Sequence, residues 1–437
     1  MVVTPFSRGI NLLTGITLGL LFGGVAYSAE TPNYDANQTP GYAQGCSAAQ
    51  ASNYRESINY ALQAEGSGHL ADALQRLETQ ANSLGSCRLG AKLYVQIGLL
   101  EFRVGRYADA EVAVERARGI HNKAPALTSL ELGVSYFVTA STAAIAGQHL
   151  AAIRAFQQTT GFFARCGPQA HQLLTRVYSD MAMLYVQQHD LKAAEEMLNK
   201  GIASEQQDTH PDAVQEILIK DTLCHLEYHQ GRMSDAMNVT RALLGKYGTD
   251  TTISPLLRAH LYEDYATFCM REDRLNDAVQ YFKISVDLEN EVPVPVSQAR
   301  TLALLGRAQM LDSQLSDAEQ TLTKAVNQAK AADENPIDHA LVSETYGEFL
   351  IVKRHWNDAR TALKEAVTDG NSSAAFASVH IAALIHLADV DHHLHLKKEE
   401  KQSRRQAKLL QAGLQYPGAK DVVDIATLRN SYTGDRH

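Results

Sequence analysis

Gly105-Arg-Tyr-Ala-Asp-Ala110 decides the fold, because versions of this hexapeptide return along almost the whole 437-residue chain. They are GHLADA at Gly68, GQHLAA at Gly147, HDLKAA at His189, GRMSDA at Gly231, DRLNDA at Asp273, SQLSDA at Ser313 and RHWNDA at Arg354. The steps between first residues are 37, 42, 42, 42, 42, 40 and 41. A near-constant period of this length means an array of stacked units, none of which can bury its apolar face without a neighbour.

The residues around each hexapeptide fall where two crossing helices need them. Seven before it stand Ala61, Gly98, Ala140, Ala182, Cys224, Ala266, Gly306 and Gly347, all small, and its sixth residue is Ala in all eight copies. Four further on come Leu77, Val114, Phe156, Leu198, Thr240, Phe282, Leu322 and Leu363, of which seven are apolar. Small side chains let two antiparallel axes approach, and the larger residue one turn on fills the space beside them. A large residue in place of Ala278 is therefore expected to cost about 1–3 kcal/mol through overpacking. Pro125, Pro168, Pro211, Pro255, Pro293, Pro295 and Pro336 fall between units, where a helix's first turn tolerates a missing N–H.

This pattern resembles the tetratricopeptide repeat family. The basic repeat of that family is about 34 residues, and the longer period here is similar to the repeats of kinesin light chains. The resemblance implies an all-α, right-handed superhelical solenoid of antiparallel helix pairs over residues 46–413, with eight clear repeats and one degenerate repeat. In the ninth unit Ala388 takes the small position, the turn lies near His395, and Glu400 stands where the others have Ala. Its charged second helix, KKEEKQSRRQAKLLQ, suits a terminal cap, which must present a polar outer face.

The resemblance also implies a groove lined by the first helix of each pair. Carried onto this sequence, its central residues are His225, Tyr228, His229, His260, Glu263, Arg271, Arg300 and Arg307, with Phe102 and Arg103 toward the N-terminus. Such a mixture of aromatic and Arg groups is what protein interfaces use. The Lys and Asn set with which chaperone-linked members of the family clamp a carboxylate is not recognisable, so capture of a chaperone tail is not expected.

Residues 1–29 read as a secretory signal peptide: one Arg, then an uncharged apolar run, then small residues at Ala26-Tyr-Ser28-Ala29. Residues 30–45 read as a flexible leader and 414–437 as a C-terminal capping segment and tail. The expected location is periplasmic or secreted, with no membrane span after signal cleavage. Of 40 basic residues, removal of Arg8 leaves 39 against 49 acidic ones, and no basic stripe of the kind that neutralises phosphates stands out, which argues against a nucleic-acid partner. Of five cysteines, Cys46 and Cys87 each precede the first helix of adjacent units and are the candidate disulfide. Cys224 and Cys269 fall at packed positions, and Cys166 is the expected exposed thiol.

Two clusters invite a test for chemistry. His225 and His229, four apart on one helix, can share a metal with His260 and Glu263 from the next. The segment HLEYH (225–229) has its Glu third, where the zinc hydrolase motif needs it second. A second group, His386, Asp389, Asp391, His392, His393 and His395, lies at the end of the last first helix, and His386, Asp389 and His393 share a face by spacing. No Cys–His or Ser–His–Asp set can be assembled. The expected function is a non-catalytic exported scaffold for a protein or peptide partner, with no cofactor, no assigned metal and no catalytic residue. The alternative is a metal- or small-ligand-binding sensor built on the His-rich centre.

Overall fold

The computed structural model describes residues 46–413 apart from 67–69, 85–86, 104–105, 147, 168–169, 189, 209–212, 292–297, 332–335 and 371–376. The expected signal peptide (1–29), leader (30–45) and C-terminal segment (414–437) lie outside the described residues, as do Gly68, Gly105, Gly147 and His189.

Among the described residues eighteen α-helices follow one another as nine antiparallel pairs. The first members are α1 (Ala48–Gly66), α3 (Arg88–Arg103), α5 (Ser129–Ile145), α7 (His171–Gln187), α9 (Ala213–His229), α11 (Pro255–Arg271), α13 (Ala299–Leu311), α15 (Pro336–Val352) and α17 (Ala377–His393). The second members are α2 (Leu70–Leu84), α4 (Tyr107–Lys123), α6 (His149–Phe163), α8 (Leu191–Gln207), α10 (Met233–Tyr247), α12 (Leu275–Asn290), α14 (Leu315–Ala331), α16 (Trp356–Gly370) and α18 (Lys397–Gly413). Pro255 and Pro336 open α11 and α15, the position a ring without an N–H fits. The contacts divide the chain into an N-terminal unit that runs to Leu184 and includes Ala193–Ile219, and a C-terminal unit of Tyr185–Lys192 and the residues from Lys220 onward.

In the C-terminal unit the hexapeptide acts through its backbone. Its first residue is left-handed at Gly231 (φ 80°), Asp273 (58°), Ser313 (63°) and Arg354 (59°), and at His395 (60°) in the ninth pair. The next residue donates its N–H five residues back, Arg232 to Glu227 at 2.9 Å, Arg274 to Cys269 at 2.9 Å, Gln314 to Gln309 at 2.8 Å, His355 to Leu350 at 2.9 Å and Leu396 to Asp391 at 2.8 Å. This is the Schellman closure of a helix C-terminus. The carbonyl of the same residue accepts the first bond of the following helix, as Arg232 does from Ala236, Arg274 from Ala278, Gln314 from Ala318 and His355 from Ala359. One residue thus ends a helix and begins the next, which fixes the Ala in register. The N-terminal unit repeats both bonds at Arg106 and Gln148.

All eight of those Ala residues, Ala73 to Ala359, are 0% exposed. A Cβ on Gly306 would lie 2.5 Å from Leu322, on Gly347 2.6 Å from Leu363 and on Gly98 2.5 Å from Val114. The small residue therefore meets the larger one that the spacing pairs with it. In the N-terminal unit, edge-to-face contacts of Phe137 with Phe156 and Phe102 with Tyr107 add to the core, and a disulfide joins Cys46 to Cys87 with Cα atoms 5.2 Å apart. Cys224 and Cys269 are buried, while Cys166, expected to be exposed, is half-buried because its thiol folds back toward the Phe162 carbonyl.

Within each unit second helices pack against their own first helix and the following one, as α4 does on α3 and α5 and α12 on α11 and α13, and first helices also touch each other, as α3 touches α5 and α13 touches α15. The two classes are buried to different extents. Helix α13 buries twelve of its thirteen residues and α11 thirteen of seventeen, whereas α12 buries six of sixteen. The last second helix, α18, leaves Lys397, Lys398, Lys401, Arg404, Arg405 and Lys408 exposed, the charged face expected of a cap. No helix among the described residues is long and apolar enough to cross a membrane.

Candidate functional site

The first helices of the C-terminal unit are covered on nearly all sides yet carry charged side chains at the positions that precede each turn by 13, 10, 9 or 6 residues. A buried charge needs a partner, and these side chains provide one another's. Three nodes result.

The first node joins α9 and α11. Asp221 and His225 are one turn apart on α9, as are His260 and Asp264 on α11, so each pair shares a face. His260 Nε2 lies 3.1 Å from Asp264 Oδ2 and 3.4 Å from Asp221 Oδ1, and His225 Nε2 lies 3.6 and 3.9 Å from the same two oxygens. All four residues are buried, and neither ring nitrogen of His225 has a hydrogen-bond partner. Burial works against protonation of His260, but Asp264 and Asp221 outweigh it and hold the imidazole at about 9.

The second node joins α11, α12, α13 and α15. The Arg300 guanidinium reaches Glu263 at 3.4 Å and Asp338 at 3.2 Å. Thr301 Oγ1 lies 3.2 Å from a Glu263 oxygen and 2.7 Å from a Glu289 oxygen. A hydroxyl has one proton to give, and the shorter of the two contacts is the one to Glu289. Burial, with the nearby Glu263 charge, pushes Glu289 up to about 8. Thr301 Oγ1 donates to Glu289 at 2.7 Å, and that bond works against the rise.

The third node joins α13, α15 and α17. Arg307 pairs with Glu344 and, at 3.0 Å, with Glu348, and His386 Nδ1 lies 3.1 Å from the other Glu344 oxygen. Burial pushes Glu344 up, but Arg307 and His386 overcome it and bring the carboxyl down to about 2. Burial likewise opposes charge on His386, and Glu344 reverses the balance and raises it.

The residues that the repeat resemblance placed in a groove are therefore of two kinds. His225, His260, Glu263, Arg300, Arg307 and Phe102 are buried, and the five ionisable ones belong to the nodes. Tyr228, His229 and Arg271 are half-buried and grouped: the Arg271 guanidinium sits 4.8 Å above the Tyr228 ring, whose other neighbours are His229 at 5.2 Å and Phe268 at 5.7 Å. The side chain of Arg103 lies outside the described residues. The grouping of His225 with His229, His260 and Glu263 does not form, because His229 turns to Tyr228 and Glu263 turns to α13. Asp221 and Asp264 take their places.

The second His-rich group disperses for the same reason, since each member has a better local partner. His386 meets Glu344, Asp389 meets Arg404 at 3.1 Å, Asp391 meets Arg360 at 2.6 Å, and His393 stacks on Trp356 at 4.1 Å. In the N-terminal unit two further buried carboxyls escaped the sequence reading. Asp180, 2.9 Å from Arg176, is pushed up to about 6 by burial against the pull of that Arg, and burial pushes Glu101 up to about 7.

No protein-family model and no curated protein matches this sequence. Solved structures do. The apo form of the quorum sensor NprR from B. thuringiensis is 13% identical over 82% of this chain and 98% of its own, with a TM-score of 0.53. The apo form of RapI is 14% identical over 83% and 98%, with a TM-score of 0.47, and a tetratricopeptide repeat protein from Parabacteroides merdae is 16% identical over 68% and 99%, with a TM-score of 0.45. With nine helix pairs among the described residues and one turn geometry recurring between the members of most of them, the chain has a tetratricopeptide-like solenoid fold.

Proposed function

We propose that this protein is an exported, non-catalytic scaffold that binds a protein or peptide partner through the first-helix layer of its C-terminal unit. The observation that carries the reading is the half-buried group Tyr228, His229 and Arg271 at the ends of α9 and α11. An aromatic ring already held by a guanidinium and a second ring offers amphipathic contact area with little left to order on binding. Aromatic and Arg groups of this kind anchor interfaces. The buried nodes support the same reading, because their acids and bases satisfy one another and hold the helices that carry the anchor. The Cys46–Cys87 bond supports export, since such bonds persist in oxidising compartments.

Selection of a peptide library on the purified mature chain tests the binding surface. Enriched peptides are expected to lose at least about tenfold in affinity, roughly 1.4 kcal/mol, for Tyr228→Ala with Arg271→Ala, while helicity and melting temperature hold. Peptides that bind the double variant as well as the wild type would remove this surface from consideration. Fractionation of cells expressing the tagged full-length chain tests export, and recovery in the cytosol would overturn that part.

A further inference from the structure

We propose that Asp221, His225, His260 and Asp264 form a closed, four-coordinate site for a divalent transition-metal ion of the zinc type, clamping α9 to α11. This goes beyond partner binding and stands or falls apart from it.

The geometry comes first. One ligand atom from each of Asp221, His225, His260 and Asp264 can be chosen so that all four lie within 4.8 Å of one another. The four His–Asp separations are 3.1, 3.4, 3.6 and 3.9 Å. Zinc–nitrogen and zinc–oxygen bonds of about 2.0–2.2 Å set the edges of a tetrahedron at about 3.3–3.6 Å. The four His–Asp separations bracket that range, and modest side-chain rotations would bring the four atoms onto such a figure.

The second observation is His225. A protonated His260 bridging Asp221 and Asp264 would account for three of the four groups as an ordinary buried ion pair. It leaves His225 unexplained: the imidazole is 1% exposed, and neither of its nitrogens makes a hydrogen bond. Its Nε2 points toward both carboxylates from just beyond hydrogen-bonding distance. An imidazole stranded in this way is costly, and a metal ion at the centre of the four groups supplies the partner that Nε2 lacks.

The donor set selects the metal. Two imidazoles with two carboxylates suit zinc, cobalt or nickel better than calcium or magnesium, which take oxygen ligands in larger number. Both imidazoles bind as neutral rings through Nε2 and keep their proton on Nδ1, and the two carboxylate charges cancel the dication. Four protein ligands, none more than 6% exposed, leave no open position for water or substrate. The site is accordingly structural rather than catalytic. Neither His229 nor Glu263 takes part.

The test uses the intact chain, stripped with EDTA, dialysed, and titrated separately with zinc chloride and cobalt chloride. One equivalent of zinc is expected by elemental analysis, with an intense visible cobalt spectrum of the tetrahedral type and a rise in melting temperature. His225→Ala should weaken zinc binding by more than about 100-fold, since even groups that merely orient ligands cost about 10–100-fold. Asp264→Asn keeps the side chain's shape and serves where His225→Ala fails to fold. His392→Ala with His393→Ala removes two exposed histidines outside the site and should leave zinc binding unchanged. A folded wild type that takes up no zinc overturns the proposal. So does an octahedral cobalt spectrum, full binding by folded His225→Ala or Asp264→Asn, or binding lost only with His392 and His393. If neither variant folds, the wild-type stoichiometry and cobalt spectrum decide.

Discussion

The two units share one repeat geometry but are secured by different chemistry. The N-terminal unit has a covalent link between its first two repeats and aromatic edge contacts such as Phe137 with Phe156, beside an ion pair of Lys92 with Glu131 at 2.9 Å between first helices. The C-terminal unit instead threads charged side chains through its most buried helices, so that α9, α11, α13, α15 and α17 are joined by ion pairs. A repeat array depends on contacts between neighbours, and the contrast teaches that those contacts need not be apolar. Burial of a charge network does not guarantee a gain over apolar packing, but breaking one side of it is expensive.

The largest losses are therefore expected where one member of a buried pair is removed. Arg307→Met strands Glu344 and Glu348 and should destabilise the C-terminal unit by about 3–5 kcal/mol, read as a shift in the urea midpoint. An unchanged midpoint would mean that the third node contributes little. Removing the staple by Cys46→Ser with Cys87→Ser should cost the N-terminal unit about 2–4 kcal/mol. Hydrogen exchange should show the loss in α1 to α3, and dithiothreitol should reproduce it in the wild type but not in the variant.

The second node allows a test of opposite sign. Glu289 has an ordinary value of 4.5 and sits near 8 in the folded chain. Below the ordinary value the group is protonated in both states and its contribution is fully present. As pH rises toward 8 the unfolded chain ionises while the folded chain does not, so stability is lost through that window. Glu289→Gln keeps an oxygen that accepts from Thr301 and removes the titration. It should be more stable than the wild type at pH 8, on the order of 1–3 kcal/mol, with no gain at pH 4; equal slopes in the two proteins would show Glu289 ionised when folded. The smallest effect belongs to the turns. Ser313 is left-handed where Gly231 meets no Cβ penalty, so Ser313→Gly should stabilise by about 0.5–1 kcal/mol, seen in the melting temperature.

The fold was legible because its determinants recur in register. The hexapeptide, the small residue seven before it and the larger residue after it each appear eight times, and the structure places Gly306 on Leu322 and Gly347 on Leu363 as the spacing requires. Sequence showed where each turn falls; it did not show that Asp273, Ser313, Arg354 and His395 take the left-handed position, since those residue types carry no glycine signal. The candidate site was half legible. His225 and His260 stood out, but helical spacing lets His225 share a face with Asp221 four before or His229 four after, and only the packing of α11 chooses. A usable signal was the sign of charge at equivalent places: Arg307, six before its turn, is followed by Glu348 six before the next turn, which marks groups facing each other rather than a ligand.

The nodes also bear on how the chain assembles. Stacked units with the same small and bulky residues at the same places are close to interchangeable, so apolar packing alone would let a repeat dock beside the wrong neighbour or beside the same repeat of another molecule, the characteristic misassembly of repeat proteins. The charges differ from junction to junction, histidine against aspartate at one, arginine against glutamate at others. Each junction thereby carries its own label, and a swapped repeat would bury unlike partners face to face or leave a charge alone. Repeats of this unit are thus numbered parts, fit for one order of assembly.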